Sequence, residues 1–338
     1  MAAAHRFLAV LAFAAATGIA WAQAPATPPP HDPNDYPNPY HVDEGWAKLG
    51  RPFGGVSAVD MDPDGKSVWV FERCGAESCA DSNLPPILHF DPSGKLIASF
   101  GTGMFVFPHG IAVDPDGNVW VADADGKNGK GHQVVKFSPS GKVLLKLGHA
   151  GMPGDAPGYF NRPTGIAIAR NGDVFVADGH GGDSNARIVK FSKAGKFLTT
   201  WGHKGSGPGE FDTPHAIAVD SQERVYVADR SNSRVQVFDA NGKFLADWRQ
   251  FGRPSGIYVD AHDGVYVADS QTVDKTGCTP DPGCRHGIRV GTTDGTVQAF
   301  IPRPDGDRIG PEGVAVDAQG TVFGASNEGK RIDRFARQ

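Results

Sequence analysis

One short stretch recurs along this chain and restricts what it can fold into. Phe107-Pro108-His109-Gly110-Ile111-Ala112-Val113-Asp114 returns as Thr213-Pro214-His215-Ala216-Ile217-Ala218-Val219-Asp220. With the histidine replaced it returns as Arg162-Pro163-Thr164-Gly165-Ile166-Ala167-Ile168, as Arg253-Pro254-Ser255-Gly256-Ile257-Tyr258-Val259-Asp260 and as Gly310-Pro311-Glu312-Gly313-Val314-Ala315-Val316-Asp317. A degenerate first copy is Val56-Ser57-Ala58-Val59-Asp60-Met61-Asp62. The equivalent positions 57, 109, 164, 215, 255 and 312 are 52, 55, 51, 40 and 57 residues apart. Each copy continues alike. In the second, short apolar runs at 111–114, 119–123, 134–137 and 143–147 are joined by the turns Asp114-Pro115-Asp116-Gly117 and Ser138-Pro139-Ser140-Gly141 and by one longer loop. Four short antiparallel strands per repeat of this length form a propeller blade. The expected fold is all-β, a six-bladed β-propeller in a single domain at residues 42–338.

The sixth copy has only three strand-like runs, at 314–317, 321–325 and 331–335, before the chain ends. An orphan ahead of the first copy, Glu44-Gly45-Trp46-Ala47-Lys48-Leu49-Gly50, matches the fourth runs Leu144-Leu145-Lys146-Leu147-Gly148 and Leu198-Thr199-Thr200-Trp201-Gly202. It is expected to complete the last blade, closing the ring and removing an open sheet edge. The chain is expected to be a monomer.

The flanks point to export. His5 and Arg6 precede a short apolar run at 7–19, and Ala20-Trp21-Ala22 offers a small-x-small cleavage site before Gln23. Residues 1–22 read as a signal peptide cleaved after Ala22, and 23–41 as a Pro-rich leader. The apolar run is too short to span a membrane. The mature chain is expected to be secreted or periplasmic. Its cysteines, Cys74 with Cys79 and Cys278 with Cys284, read as two local disulfides of an oxidising compartment. Neither pair has the Cys-x-x-Cys spacing of a metal site. A net charge of −5 argues against a nucleic-acid partner.

Consecutive strands run up and down, so the turns joining strands 1–2 and 3–4 share one face. The 2–3 loops and the connections between blades share the other. Long insertions concentrate on that second face, at 74–86, 125–132, 180–186 and 270–286 within blades and at 149–162 and 203–213 between them. Elaborated loops on a rigid scaffold are where function usually sits.

Strand 1 of each blade is innermost, and the residue after the proline opens it at the elaborated face. The axial ring therefore reads Ser57, His109, Thr164, His215, Ser255 and Glu312. The strong side chains fall on blades 2, 4 and 6, about 120° apart in a six-blade ring. Two imidazoles and a carboxylate converging with an open position suit a catalytic zinc or a non-haem iron. The plainer reading is three polar residues lining a wet channel. At the ends of the second strands, Asp123, Asp178, Asp229 and Asp269 belong to the repeat consensus and read as structural hydrogen-bond acceptors. Arg73 and His180 break that consensus. Arg73 could hold a substrate carboxylate and His180 could act as general acid or base. Arg187 and Arg234 occupy equivalent places before strand 3 and read as partners of the aspartates.

The blade consensus resembles NHL repeats. More narrowly, Phe107-Pro108-His109-Gly110, Arg162-Pro163-Thr164-Gly165-Ile166-Ala167, residues 186–197 and Phe211-Asp212-Thr213-Pro214-His215 resemble peptidyl-α-hydroxyglycine α-amidating lyase over residues 45–338. The resemblance implies a zinc held by three histidines, an assisting arginine and tyrosine, and cleavage of a carbinolamide into an amide and glyoxylate. His109 and His215 match two of the ligands, and Arg73 matches the arginine. The third ligand position is Glu312. Gly313 stands where the family has a carboxylate for a structural calcium, removing that ligand. The tyrosine position falls at or near His180. The implied function is a metal-dependent lyase acting on a small-molecule or peptide substrate that bears a carboxylate. Two alternatives stand beside it. One is a metal-free NHL binding module in the periplasm. The other is a lactonase-like hydrolase with an axial calcium, which calls for Asn and Asp donors where the ring has Ser57, Thr164 and Ser255.

Overall fold

In the second strands, Val68–Glu72, Val174–Asp178 and Val225–Asp229 are apolar almost throughout and buried at every position. In the fourth strands, Phe197–Trp201 and Phe244–Trp248 alternate between half-buried and exposed over most of their length. Continuous apolar runs suit strands covered on both faces, and alternation suits strands covered on one. The computed structural model describes residues 34–272, 285–303 and 310–338 and shows where these runs lie. The signal segment, the leader as far as residue 33, and the pair Cys278 and Cys284 lie outside the described residues.

Six four-stranded antiparallel sheets, each ordered 1-2-3-4 from the axis outward, make six blades. The inner strands are Val56–Met61, Pro108–Val113, Pro163–Ile168, Pro214–Val219, Pro254–Val259 and Gly313–Val316. They pack side by side around the channel. Apolar side chains from adjacent blades fill each seam. Trp120 and Val134 of blade 2, for example, meet Ile166 and Val174 of blade 3. The 1–2 turns are tight because an aspartate caps them. Asp114 accepts from the N–H groups of Asp116 and Asn118, and Gly117 takes the left-handed backbone, φ 78°, that ends the turn.

The N-terminus does close the ring, but through a different segment from the expected one. Tyr40–Asp43 pairs antiparallel with the last strand, Arg331–Arg337, from Tyr40 opposite Arg337 to Asp43 opposite Arg334. Residues 44–50 instead cross to blade 1. There Trp46 is buried against Phe90 and Phe323, with ring centroids 6.0 and 5.0 Å away, and its indole N–H donates to the Pro92 carbonyl at 3.0 Å. Its large apolar side chain seals the seam between the last and first blades, which a strand at the outer edge could not do.

Cys74 and Cys79 form a disulfide in the 2–3 loop of blade 1. No helix among the described residues is long and apolar enough to cross a membrane.

Candidate active site on the propeller axis

A repeated backbone irregularity aims the ring residues inward. In five blades the pairing of first and second strands skips a step just after the first residue of the inner strand, a proline in four of them and Val56 in blade 1, at Ser57, His109, Thr164, His215 and Ser255. Such a bulge leaves a residue unpaired and re-aims its side chain. In blade 6 the strand begins at Gly313, and Glu312 just before it donates its N–H to the Ala325 carbonyl at 2.6 Å. All six side chains are buried and line the axial channel. Small residues beside them let neighbouring blades close up. A Cβ at Gly110 would lie 2.3 Å from the Thr164 carbonyl oxygen.

Both ring histidines have one nitrogen fixed by backbone. His109 Nδ1 lies 2.9 Å from the Thr164 carbonyl and His215 Nδ1 lies 2.7 Å from that of Ser255. A carbonyl only accepts, so Nδ1 carries the proton and Nε2 presents its lone pair to the axis. His109 Nε2 is buried with no hydrogen-bond partner. His180 stands over the same point. Its ring centroid is 4.8 Å from that of His109 and 5.3 Å from that of His215. One donor nitrogen from each of His109, His180 and His215 lies within 4.8 Å of the other two. Burial, before any neighbouring charge, holds His109 and His180 well below the usual imidazole range, and it lowers His215 too. All three are neutral near pH 7, which is the form that binds a metal. The orphaned buried nitrogen and this neutral donor set fit a divalent ion of the zinc or iron type.

Arg73 is buried beside the site. It donates to the Asn327 side-chain carbonyl at 2.9 Å and to the Pro108 carbonyl at 3.3 Å, and its guanidinium lies 3.8 Å from the centre of the Phe107 ring. A second arginine, which the sequence reading passed over, joins it. Arg230 is buried, and its Nη1 donates to His215 Nε2 at 2.7 Å. The signal was available, because Arg73 follows Glu72 as Arg230 follows Asp229 at the same place in the blade. Glu312 Oε1 lies 3.3 Å from His215 Nε2 and 3.9 Å from Arg230 Nη1. Burial would raise its carboxyl, but the Arg73 and Arg230 guanidiniums act against this and keep it below the ordinary carboxylate range. Glu312 is therefore an anion facing Arg73 and Arg230.

The aspartates of the second strands hold the scaffold. Asp123 accepts from the N–H groups of Val106 and Phe107, and Asp178 from Asn161. Asp229 accepts from Asp212 N–H, and Asp269 from Arg253 N–H. Arg187 pairs with Asp178 at 2.9 Å and Arg234 with Asp229 at 2.8 Å, as the sequence predicts.

Fold and ring together define a closed six-bladed propeller with a polar site on its axis. The NHL repeat profile matches residues 105–137, 160–191 and 211–238, within blades 2, 3 and 4, and a strictosidine synthase-like N-terminal profile matches 301–333. The chain is 36% identical over 232 residues to the Mus musculus protein named peptidyl-glycine alpha-amidating monooxygenase, covering 60% of this chain and 23% of that one. It is 30% identical over 364 residues to peptidyl-alpha-hydroxyglycine alpha-amidating lyase 1 of Drosophila melanogaster, covering 96% of this chain and 65% of that protein. Against NHL repeat-containing protein 3 of Homo sapiens it is 34% identical over 242 residues, 69% of this chain and 67% of that one. The chain spans about a quarter to a third of the length of the monooxygenases it matches. A solved streptogramin B lyase superposes with TM-score 0.55 at 18% identity, covering 88% of this chain and 98% of the other. A gluconolactonase from Xanthomonas campestris gives 0.60 at 14% identity, covering 90% and 97%. These two share the fold. The chain belongs to the NHL-repeat six-bladed propellers, and its homologues there include amidating lyases.

Proposed function

We propose that this protein is a metal-dependent lyase of the amidating-lyase type, cleaving a carbinolamide that carries a carboxylate. One observation carries the reading: two neutral, tautomer-fixed imidazoles share a buried axial site with two guanidiniums, Arg73 and Arg230. His109 and His215 would hold the metal. A bound divalent ion supplies Lewis acidity toward a substrate oxygen. Arg73 and Arg230 would receive the carboxylate, since a guanidinium fork matches its two oxygens. His180 and Glu312 divide the third donor position and the proton transfer between them. In the reaction the carbinol O–H gives up its proton and its C–O bond becomes the aldehyde C=O. The C–N bond breaks, and the released amide nitrogen takes up a proton. The products are an amide and glyoxylate, with no net redox change. The Cys74–Cys79 disulfide supports export to an oxidising compartment.

The test is direct. Purified protein is incubated with an N-acyl-α-hydroxyglycine, and glyoxylate and amide are measured before chelation, after it, and after zinc is restored. Stoichiometric release that is lost on chelation and restored by zinc is the expected result. Metal-independent inertness toward this substrate would leave a binding module. A calcium-dependent lactonase is not favoured, because the ring hydroxyls of Ser57 and Thr164 are donated to the Phe71 and Pro214 carbonyls and that of Ser255 is paired with Ser270.

A further inference from the structure

We propose that the third metal ligand is His180, reaching in from the 2–3 loop of blade 3, and that Glu312 stays outside the coordination sphere as the partner of Arg230. This rests on the metal-site reading above and replaces the alternate-blade ligand set of His109, His215 and Glu312 expected from the ring.

Distance is the first ground. At metal–nitrogen lengths of about 2.0–2.1 Å, tetrahedral donors stand roughly 3.3 Å apart. The donor nitrogens of His109, His180 and His215 already lie within 4.8 Å of one another. Small side-chain rotations close that gap. Glu312 lies 3.3 Å from His215 but is not a member of this mutually close group.

Placement is the second. His180 follows Gly179, whose backbone φ of 150° suits glycine, and a Cβ there would lie 1.8 Å from the Asn185 carbonyl oxygen. The His180 N–H is then held by the Ser184 hydroxyl at 2.8 Å, and its ring rests edge-on against Phe107 at 6.0 Å. This two-residue excursion beyond Asp178 carries the imidazole over the axis, although blade 3 contributes only Thr164 to the ring.

Charge is the third. Arg230 is buried and donates to the His215 lone pair that a metal would need. On metal binding the guanidinium must leave that nitrogen, and Glu312 Oε1, 3.9 Å away, is the anion beside it. If Glu312 joined the metal instead, Arg230 would be left buried next to a dication with its carboxylate partner withdrawn. Uncompensated buried charge of this kind is strongly unfavourable. Three neutral imidazoles on the metal and an intact Glu312–Arg230 pair avoid it.

The experiment measures metal binding without turnover. Chelated wild-type protein and the variants His180→Ala, His180→Gln and Glu312→Gln are titrated with Co²⁺, followed by visible absorption, and with Zn²⁺ in competition with a chromogenic chelator. Circular dichroism confirms that each variant is folded. Wild type should bind one equivalent. Both His180 variants should lose affinity by well over about 100-fold, whereas Glu312→Gln should lose about tenfold, the low end of the roughly 10–100-fold that a group outside the coordination sphere costs. Loss in Glu312→Gln comparable to that in His180→Ala, retention in both His180 variants, or no metal binding by wild type overturns the proposal. Glyoxylate release is scored separately. A protein that binds metal through the three histidines but does not cleave α-hydroxyglycine keeps this assignment and loses the lyase reading. One that cleaves while its His180 variants hold metal normally does the reverse.

Discussion

At one register position blades 2 and 4 carry a histidine where blades 1, 3 and 5 carry serine or threonine, and the two sets use that residue in opposite ways. Thr164 donates its hydroxyl to the Pro214 carbonyl at 2.6 Å, Ser57 donates to Phe71 at 3.1 Å, and Ser255 pairs with Ser270 at 2.5 Å. These side chains are spent on the scaffold. His109 and His215 instead take the Thr164 and Ser255 carbonyls on Nδ1 and turn Nε2 to the axis. The odd blades therefore fix the tautomers of the even ones. A repeat fold can acquire a site in this way, by changing one side chain at one register position while the unchanged neighbours supply its second contact.

The largest expected effect breaks the even set. His109→Ala and His215→Ala should each abolish stoichiometric metal and lower glyoxylate release roughly a thousandfold, the several kcal/mol that a Lewis-acidic ion supplies. Ser57→Ala, at the same register position, should leave both within a few-fold. Metal analysis and initial rates on the three proteins decide the matter. Equal losses in all three would mean that the ring acts only through its shape.

The seams between blades come next. A Cβ at Gly256 would meet the Glu312 carbonyl oxygen at 2.6 Å and Gly313 Cα at 3.1 Å. These are backbone atoms and cannot rotate away. Gly256→Ala should cost about 1–3 kcal/mol by overpacking, seen as a lower Tm. The same change at Gly103, where a Cβ has nothing within 4 Å but φ is 70°, carries backbone strain without a clash. A Tm loss at Gly103 as large as that at Gly256 would show that close packing of the inner strands is not what the ring glycines provide.

Acid should expose the imidazoles. His109, His180 and His215 are lowered by burial first, so below the ordinary value of about 6.5 the unfolded chain binds protons that the folded chain does not. Stability of metal-free protein must fall as pH drops through that value. Glu312, kept below its ordinary range by Arg73 and Arg230, acts in a lower window, stabilising above its ordinary value and losing that contribution as pH falls toward its folded value. Thermal unfolding of chelated protein at pH 7.5 and 5.5 should show a Tm drop at about 2–4 °C per kcal/mol lost. A flat profile would mean that the imidazoles are solvated.

The ring was legible because the repeat period gives every blade one equivalent residue, and Ser57 through Glu312 could be read off without contacts. The pairs of Arg187 and Arg234 with second-strand aspartates were legible for the same reason. What escaped depends on departures from register. The closing strand is Tyr40–Asp43 because Trp46, which resembles a fourth-strand residue, is large enough to seal a seam instead. Arg230 stands at the register position of Arg73, but only the fold shows its guanidinium turning to His215. His180 could be placed on the right face, but its approach to His109 depends on the backbone at Gly179.

The smallest effect separates the two jobs of an odd-blade residue. Thr164→Val removes the hydroxyl that donates to Pro214 but leaves the Thr164 backbone carbonyl that fixes His109. Valine has nearly the same shape, so the Pro214 carbonyl loses a buried donor without opening a cavity. The cost should be about 1 kcal/mol of stability. Because the carbonyl still orients His109, metal affinity should shift by less than about tenfold, the low end of what losing an outer-shell contact costs. Unfolding curves and Co²⁺ titration on the same preparation measure both. A collapse of metal affinity with Tm unchanged would place the hydroxyl, rather than the backbone, in control of the imidazole and would remove the division of labour between odd and even blades.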